Sequence, residues 1–114
     1  MEENRQLDEV VAVAMEILVD AGDARTCMKE ALDAVMAGDS ELCDEKVKEA
    51  KACMVKAHTA QTNMISREAS GESVIYSMLL THAQDTLMTI NSEIHLGEKM
   101  IKMYRTLESK IVNR

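Results

Sequence analysis

The chain contains no proline and only four glycines in 114 residues. Proline removes a backbone donor and glycine loosens a helix, so a chain this poor in both has few obligatory breaks. Long helices are the natural outcome. With two Tyr, no Phe and no Trp, it also lacks the aromatic side chains that strands favour, which argues against a sandwich or a barrel. The core must therefore be built from Ala, Leu, Ile, Val and the ten Met.

Apolar residues recur at helical spacing from the first turns onward. Leu7, Val10, Val11, Ala14, Ile17, Leu18, Ala21, Met28, Ala31 and Val35 make one stripe, with Gly22 inside it at a cost of about 1 kcal/mol relative to Ala. The stripe stops at Ala37-Gly38-Asp39-Ser40, a glycine followed by two good N-cap residues. A second stripe, Cys43, Val47, Ala50, Met54, Ala57, Gln61 and Met64, ends near Ser70-Gly71-Glu72-Ser73. The third, Tyr76, Leu80, Ala83, Leu87, Ile90, Ile94, Ile101 and Tyr104, is interrupted only by Gly97. The spacing predicts one all-α domain over residues 1–114, an antiparallel three-helix up-down bundle with helices at about 5–37, 40–69 and 73–112.

Thirteen Lys and Arg against twenty Asp and Glu give a formal net charge of −7, the wrong sign for binding nucleic acid or an anionic membrane surface. The acidic start is not a signal peptide, and Glu16 cuts the most apolar run, so nothing is expected to span a bilayer. Cys27, Cys43 and Cys53 form no Cys-x-x-Cys pair and read as reduced thiols of a cytoplasmic protein.

The third helix carries an anomaly. At about 100° per residue, Val74, Met78, Thr81, Asp85, Met88 and Ser92 fall nearly opposite the core stripe. A surface helix of a monomer has one apolar stripe and one polar face. A second apolar face that surrounds a lone carboxylate means either exposed Met or another chain packed there, and another chain is the favoured reading. In a closed ring, copies of Asp85 would meet, at a cost that a hard cation such as Mg²⁺ would relieve.

Of the three His, His58 flanks the core stripe and reads as half-buried with one hydrogen bond, and His95 as a solvated surface residue. His82 stands off the centre of the stripe, with Leu79 and Thr86 beside it and Asp85 three residues on, within side-chain reach. It can be a polar residue at a helix seam, a metal ligand with Asp85, or a nucleophile. Di-metal bundles are excluded, because they need Glu-x-x-His motifs that this chain lacks. With no phosphate-binding glycine loop either, direct use of a nucleotide is not expected.

The string His82-Ala83-Gln84-Asp85-Thr86-Leu87-Met88-Thr89 resembles the signature of the lactose/cellobiose-type IIA components of the bacterial phosphoenolpyruvate-dependent sugar phosphotransferase system. Ala21-Gly22-Asp23-Ala24-Arg25, Ala37-Gly38-Asp39, Ala57-His58-Thr59-Ala60-Gln61-Thr62 and Ser66-Arg67-Glu68-Ala69-Ser70-Gly71-Glu72 match in the same order. The resemblance implies a nine-helix homotrimer of three-helix protomers. It implies that His82 accepts the phosphoryl group and that Asp85 lies at the trimer axis, where it binds one Mg²⁺ per trimer. It implies the phosphorylated histidine-containing phosphocarrier protein as donor and a Cys of the cognate IIB component as acceptor. The membrane IIC component then moves the sugar. Gln84 would donate a hydrogen bond to the phosphoryl group across the subunit seam. The family usually carries a second His where this chain has Thr86, which leaves open how that position tunes His82. Two other accounts stay open: a non-catalytic helical adaptor, suited by Met-rich faces, and an Asp85 that orients His82 instead of binding metal.

Overall fold

The computed structural model describes residues 1–112. Three helices fill it: α1 (Glu2–Met36), α2 (Ser40–Ala69) and α3 (Met78–Val112). Cross-links between helices give their directions. Glu30 pairs with Lys46 and Glu9 with Arg67, so α1 and α2 run antiparallel. Lys51 pairs with Glu98 and Asp44 with Arg105, so α2 and α3 also run antiparallel. Arg25 pairs with Glu93, which sets α1 and α3 parallel. The order is up-down-up. α1 lies against both other helices along its length, whereas α2 and α3 meet more sparsely.

The α1–α2 turn follows its sequence signals closely. Gly38 adopts φ +84°, a left-handed conformation that costs a residue without Cβ nothing. Asp39 then caps α2, its carboxylate accepting from the Leu42 N–H at 3.0 Å. Arg105 of α3 reaches across to the Ser40 hydroxyl at 2.8 Å and to Asp44 at 3.0 Å.

The α2–α3 connection departs from expectation. Gly71 ends α2 with φ +94°, but Glu72–Ser77 are not helical and α3 starts at Met78, not at 73. Ser77, not Ser73, is the cap: its hydroxyl accepts from the Leu80 N–H at 3.3 Å. Without helix at 73–77, the helical wheel does not apply there. Val74 turns onto the core instead of the outer face, and Tyr76, expected in the core stripe, is 77% exposed. α1 starts earlier than expected, at Glu2, with Glu2 and Glu3 in its first turn, where acidic side chains favour the helix dipole. Leu7 and Val11, placed in the stripe by periodicity, lie exposed on the flank of α1.

Arg67 anchors the connection, holding Glu72 at 2.7 Å. Its hydrogen bond holds the Glu72 carboxyl below the usual carboxylate range. A carboxyl lowered on folding stabilises the fold above its unfolded pKa, and that contribution disappears as pH falls through the folded value.

The core runs the length of the bundle. Ile17, Leu87, Ile90 and Cys43 are its largest fully buried side chains, and no buried residue is polar or charged among those described. Many of the remaining core positions are Ala, so the backbones sit close together. Gly97 is part of this. A Cβ added there would lie 2.7 Å from Cγ and Sδ of Met28, whereas one at Gly22 would meet nothing within 4 Å. Both positions are helical, so alanine improves local propensity at each by about 1 kcal/mol. Gly22→Ala should therefore raise the thermal midpoint. Gly97→Ala should lower it, because overpacking costs about 1–3 kcal/mol and Met28 is buried on all sides. Calorimetry of the two variants, side by side, checks the opposite signs.

Candidate functional site

The site is built at the start of α3. Ser77 fixes where winding begins, and His82 is the fifth residue from Met78. Side chains on a helix lean toward its N-terminus, so the His82 ring lies over the first turn. That turn carries partial positive charge from its free amides. Ala83 and Leu87 are fully buried and lock the helix against α1, while His82 and Asp85 are exposed. Gln84, Thr86 and Leu79 are half-buried around them. Among the described residues no side-chain hydrogen bond or ion pair engages His82 or Asp85; Thr89 donates to the Asp85 backbone carbonyl instead.

Gln84 also lines a shallow groove of about 230 Å³ with Ile65 of α2 and with Tyr76 and Ser77 of the connection. The sequence pattern placed Tyr76 in the core and gave Ile65 no role. Only the tertiary path of residues 72–77 brings them to this surface, so no periodicity could have found them.

Charge is sparse on α3 here, although Glu68 of α2 borders the same groove. Between Glu72 and Glu93 the only Asp, Glu, Lys or Arg is Asp85, in a chain where such residues make up 29%. Elsewhere the surface is laced with ion pairs. A charge-poor, part-apolar surface around one exposed imidazole suits transient docking, because interface centres are depleted in charge.

The other candidates take the places expected of them. His58 is half-buried, with Nε2 3.5 Å from Oδ1 of Asn91, and His95 is exposed on α3. Asp85 stands alone: no group of three His, Cys, Asp or Glu side chains gathers to hold a metal ion among the described residues. A single exposed carboxylate cannot by itself bind Mg²⁺ firmly, since the ion needs several oxygens. The three thiols are free, and burial pushes each of them up from the usual thiol value, which makes them poor nucleophiles.

Residues 12–105 match the family described as "PTS system, Lactose/Cellobiose specific IIA subunit". The chain belongs to this family. It is thus a IIA component of a sugar phosphotransferase system, a phosphoryl carrier that works through a phosphohistidine. Among curated relatives, the lactose-specific EIIA component of Staphylococcus epidermidis is 40% identical over 98 residues, covering 86% of this chain and 94% of that protein. The lactose-specific EIIA component of Lactococcus lactis subsp. lactis is 42% identical, covering 86% and 93%. The fold agrees as well. The crystal structure of the cellobiose-specific enzyme IIA from Bacillus anthracis aligns with a TM-score of 0.82 at 35% identity, covering 87% of this chain and 91% of that one. That of PtcA from S. mutans aligns with a TM-score of 0.82 at 34% identity, covering 86% and 96%. No helix of this IIA component is long and apolar enough, among the described residues, to cross a membrane.

Proposed function

We propose that His82 is the phosphoryl acceptor of this IIA component. The carrying observation is its setting: an exposed imidazole on α3 with no side-chain partner among the described residues, in a stretch, 73–92, whose one Asp, Glu, Lys or Arg is Asp85. A neutral ring nitrogen attacks the phosphorus of the phosphorylated histidine-containing phosphocarrier protein. A new N–P bond forms on His82 as the donor's N–P bond breaks, and the donor imidazole leaves with the electron pair. In the second half the thiolate of a Cys on the cognate IIB component attacks, an S–P bond forms, and His82 is regenerated. Phosphoryl transfer asks little of a protein beyond alignment and charge stabilisation. The α3 N-terminus contributes part of the latter, and Gln84 donates a hydrogen bond to the phosphoryl oxygens. Both partners dock on the same charge-poor surface in turn, which keeps each complex modest and short-lived. This chemistry takes place in the cytoplasm, and the membrane IIC component completes sugar uptake.

The assembly belongs to the same proposal. Three copies packed about the outer face of α3 form a nine-helix homotrimer and bring three Asp85 carboxylates together. One Mg²⁺ per trimer neutralises their repulsion; no step of the transfer passes through it. Asp85→Leu separates a metal-binding Asp85 from one that orients His82. With a metal role, the variant accepts phosphoryl as well as the parent, and its assembly no longer loosens on chelation with EDTA. An orienting role would instead show as collapsed transfer with the assembly intact.

The test of the whole is direct. Incubation with phosphoenolpyruvate and the two general phosphotransferase proteins should add one acid-labile, base-stable phosphoryl group per chain, and a cognate IIB component should remove it. No uptake, with stable capture of a partner helix, would favour an adaptor.

A further inference from the structure

One flank of His82 faces α1 and is almost entirely apolar. The Arg25–Glu93 pair, with Met28 lying against Gly97, sets the parallel register of α1 and α3. That register brings Val11, Met15 and Leu18 alongside the turns from Leu79 to Thr86. The one polar residue between Val11 and Leu18 is Glu16, and it faces α2, where it lines a groove with Lys56 and Arg67. On α3 itself, Thr86 lies one turn beyond His82 and only about 40° round the helix from it, whereas Asp85 lies about 60° round on the other side. Asp85 is exposed and Thr86 is half-buried. Within a turn of His82, among the described residues, this flank therefore offers a single polar group: the hydroxyl of Thr86.

That hydroxyl is free. A helical threonine commonly returns its hydroxyl to the carbonyl four residues back. Thr81 does so to Ser77 at 3.3 Å and Thr89 to Asp85 at 2.9 Å. Thr86, which stands between them, makes no such bond to the His82 carbonyl among the described residues.

We propose that Thr86 is a positioning residue for phosphoryl transfer, its hydroxyl accepting a hydrogen bond from Nδ1–H of the His82 ring so that the lone pair stands on Nε2. The role rests on His82 being the acceptor. Nδ1 is the ring nitrogen nearer the helix, within reach of a short side chain one turn on, while Nε2 is the outer one, where partners arrive. An imidazole left to water carries its proton mainly on Nε2, the nitrogen that must attack. A partner on Nδ1 reverses that preference. A hydroxyl also suits the task better than a carboxylate, which would favour the doubly protonated ring and remove the lone pair. As Nε2 bonds to phosphorus and the donor's N–P bond breaks, the ring gains positive charge and Nδ1 keeps its proton. The hydrogen bond then has a charged donor and strengthens, so it favours the phosphorylated state and the approach to it. No proton has to leave. When the IIB thiolate takes the phosphoryl group, the electron pair returns to Nε2 and the same tautomer is ready again. Half-burial beside Leu18 limits competition from water.

Rapid-quench labelling from the phosphorylated phosphocarrier protein, paired with ¹⁵N NMR of the His82 ring, tests this on the full chain. Thr86→Val keeps the shape and removes the hydroxyl; Thr86→Ser keeps the hydroxyl. Thr86→Val should slow the transfer step roughly 10- to 100-fold, the worth of a hydrogen bond to a charged group. Its half-saturating donor concentration should stay as in the parent, and the ring proton should move from Nδ1 to Nε2. Thr86→Ser should recover most of both. A residue that only fills space predicts the reverse order, with the Val variant equal to the parent and the Ser variant impaired. The role is overturned by parental transfer in Thr86→Val, by a ring tautomer that does not move, or by a Ser variant no better than Val. In each of those cases, label on His82 of the parent protein would leave the carrier assignment standing. Absence of that label would remove the assignment itself.

Discussion

Replacing His82 with alanine or glutamine should abolish phosphoryl acceptance outright, with no residual label after exhaustive incubation with phosphoenolpyruvate and the general phosphotransferase proteins. The effect is this large because the ring is not an accessory. It supplies the electron pair of the new N–P bond, and neither neighbour can replace it: Asp85 is a weak nucleophile, and Thr86 has no base in hydrogen-bond contact among the described residues. His82 is exposed, so neither substitution should disturb folding, and helical circular dichroism should match the parent. Phosphate mapping by mass spectrometry under alkaline conditions reads the result. Label retained on His58 or His95 would relocate the site. His58 is the less suited of the two, half-buried and turned toward Asn91.

The largest stability effect is expected on the other side of the same helix. Leu87 is fully buried, and truncating such a residue to alanine removes its transfer free energy and leaves a cavity, costing about 2–5 kcal/mol. Leu87→Ala should therefore lower the thermal midpoint by roughly 10–20 °C. At temperatures where the variant is still folded, uptake on His82 should survive. Scanning calorimetry paired with the labelling assay separates the two faces of α3: one side decides whether the bundle persists, the other whether it carries phosphoryl.

The sequence was most legible where one physical cause acts alone. The Ala37–Ser40 turn could be read because glycine and aspartate each do a local job there. The apolar stripes located the core, down to Leu87 and Ile90. The pattern failed where tertiary packing competes with periodicity. Residues 73–77 look helical by spacing, yet Val74 gains more by turning onto the core and Ser77 is better placed to cap. That misplaced both the start of α3 and Tyr76. His82 shows a further limit: a lone His-x-x-Asp is a weak signal, and several matching blocks in order, not the residue itself, singled it out. Its lack of a side-chain partner among the described residues could be seen only in three dimensions.

The cap at Ser77 has a consequence for how this carrier tolerates change. Helical winding restarts there, and the compass bearing of the His82 ring is set by Ala83 and Leu87, buried against α1, not by anything earlier in the chain. Adding a residue within 72–76 lengthens a tether and leaves the bearing untouched. Adding one between Ala83 and Leu87 sets the imidazole about 100° out of phase with the core below it, away from both visiting partners. The approach to α3 should therefore tolerate a change in length that the turn from His82 to Leu87 should not.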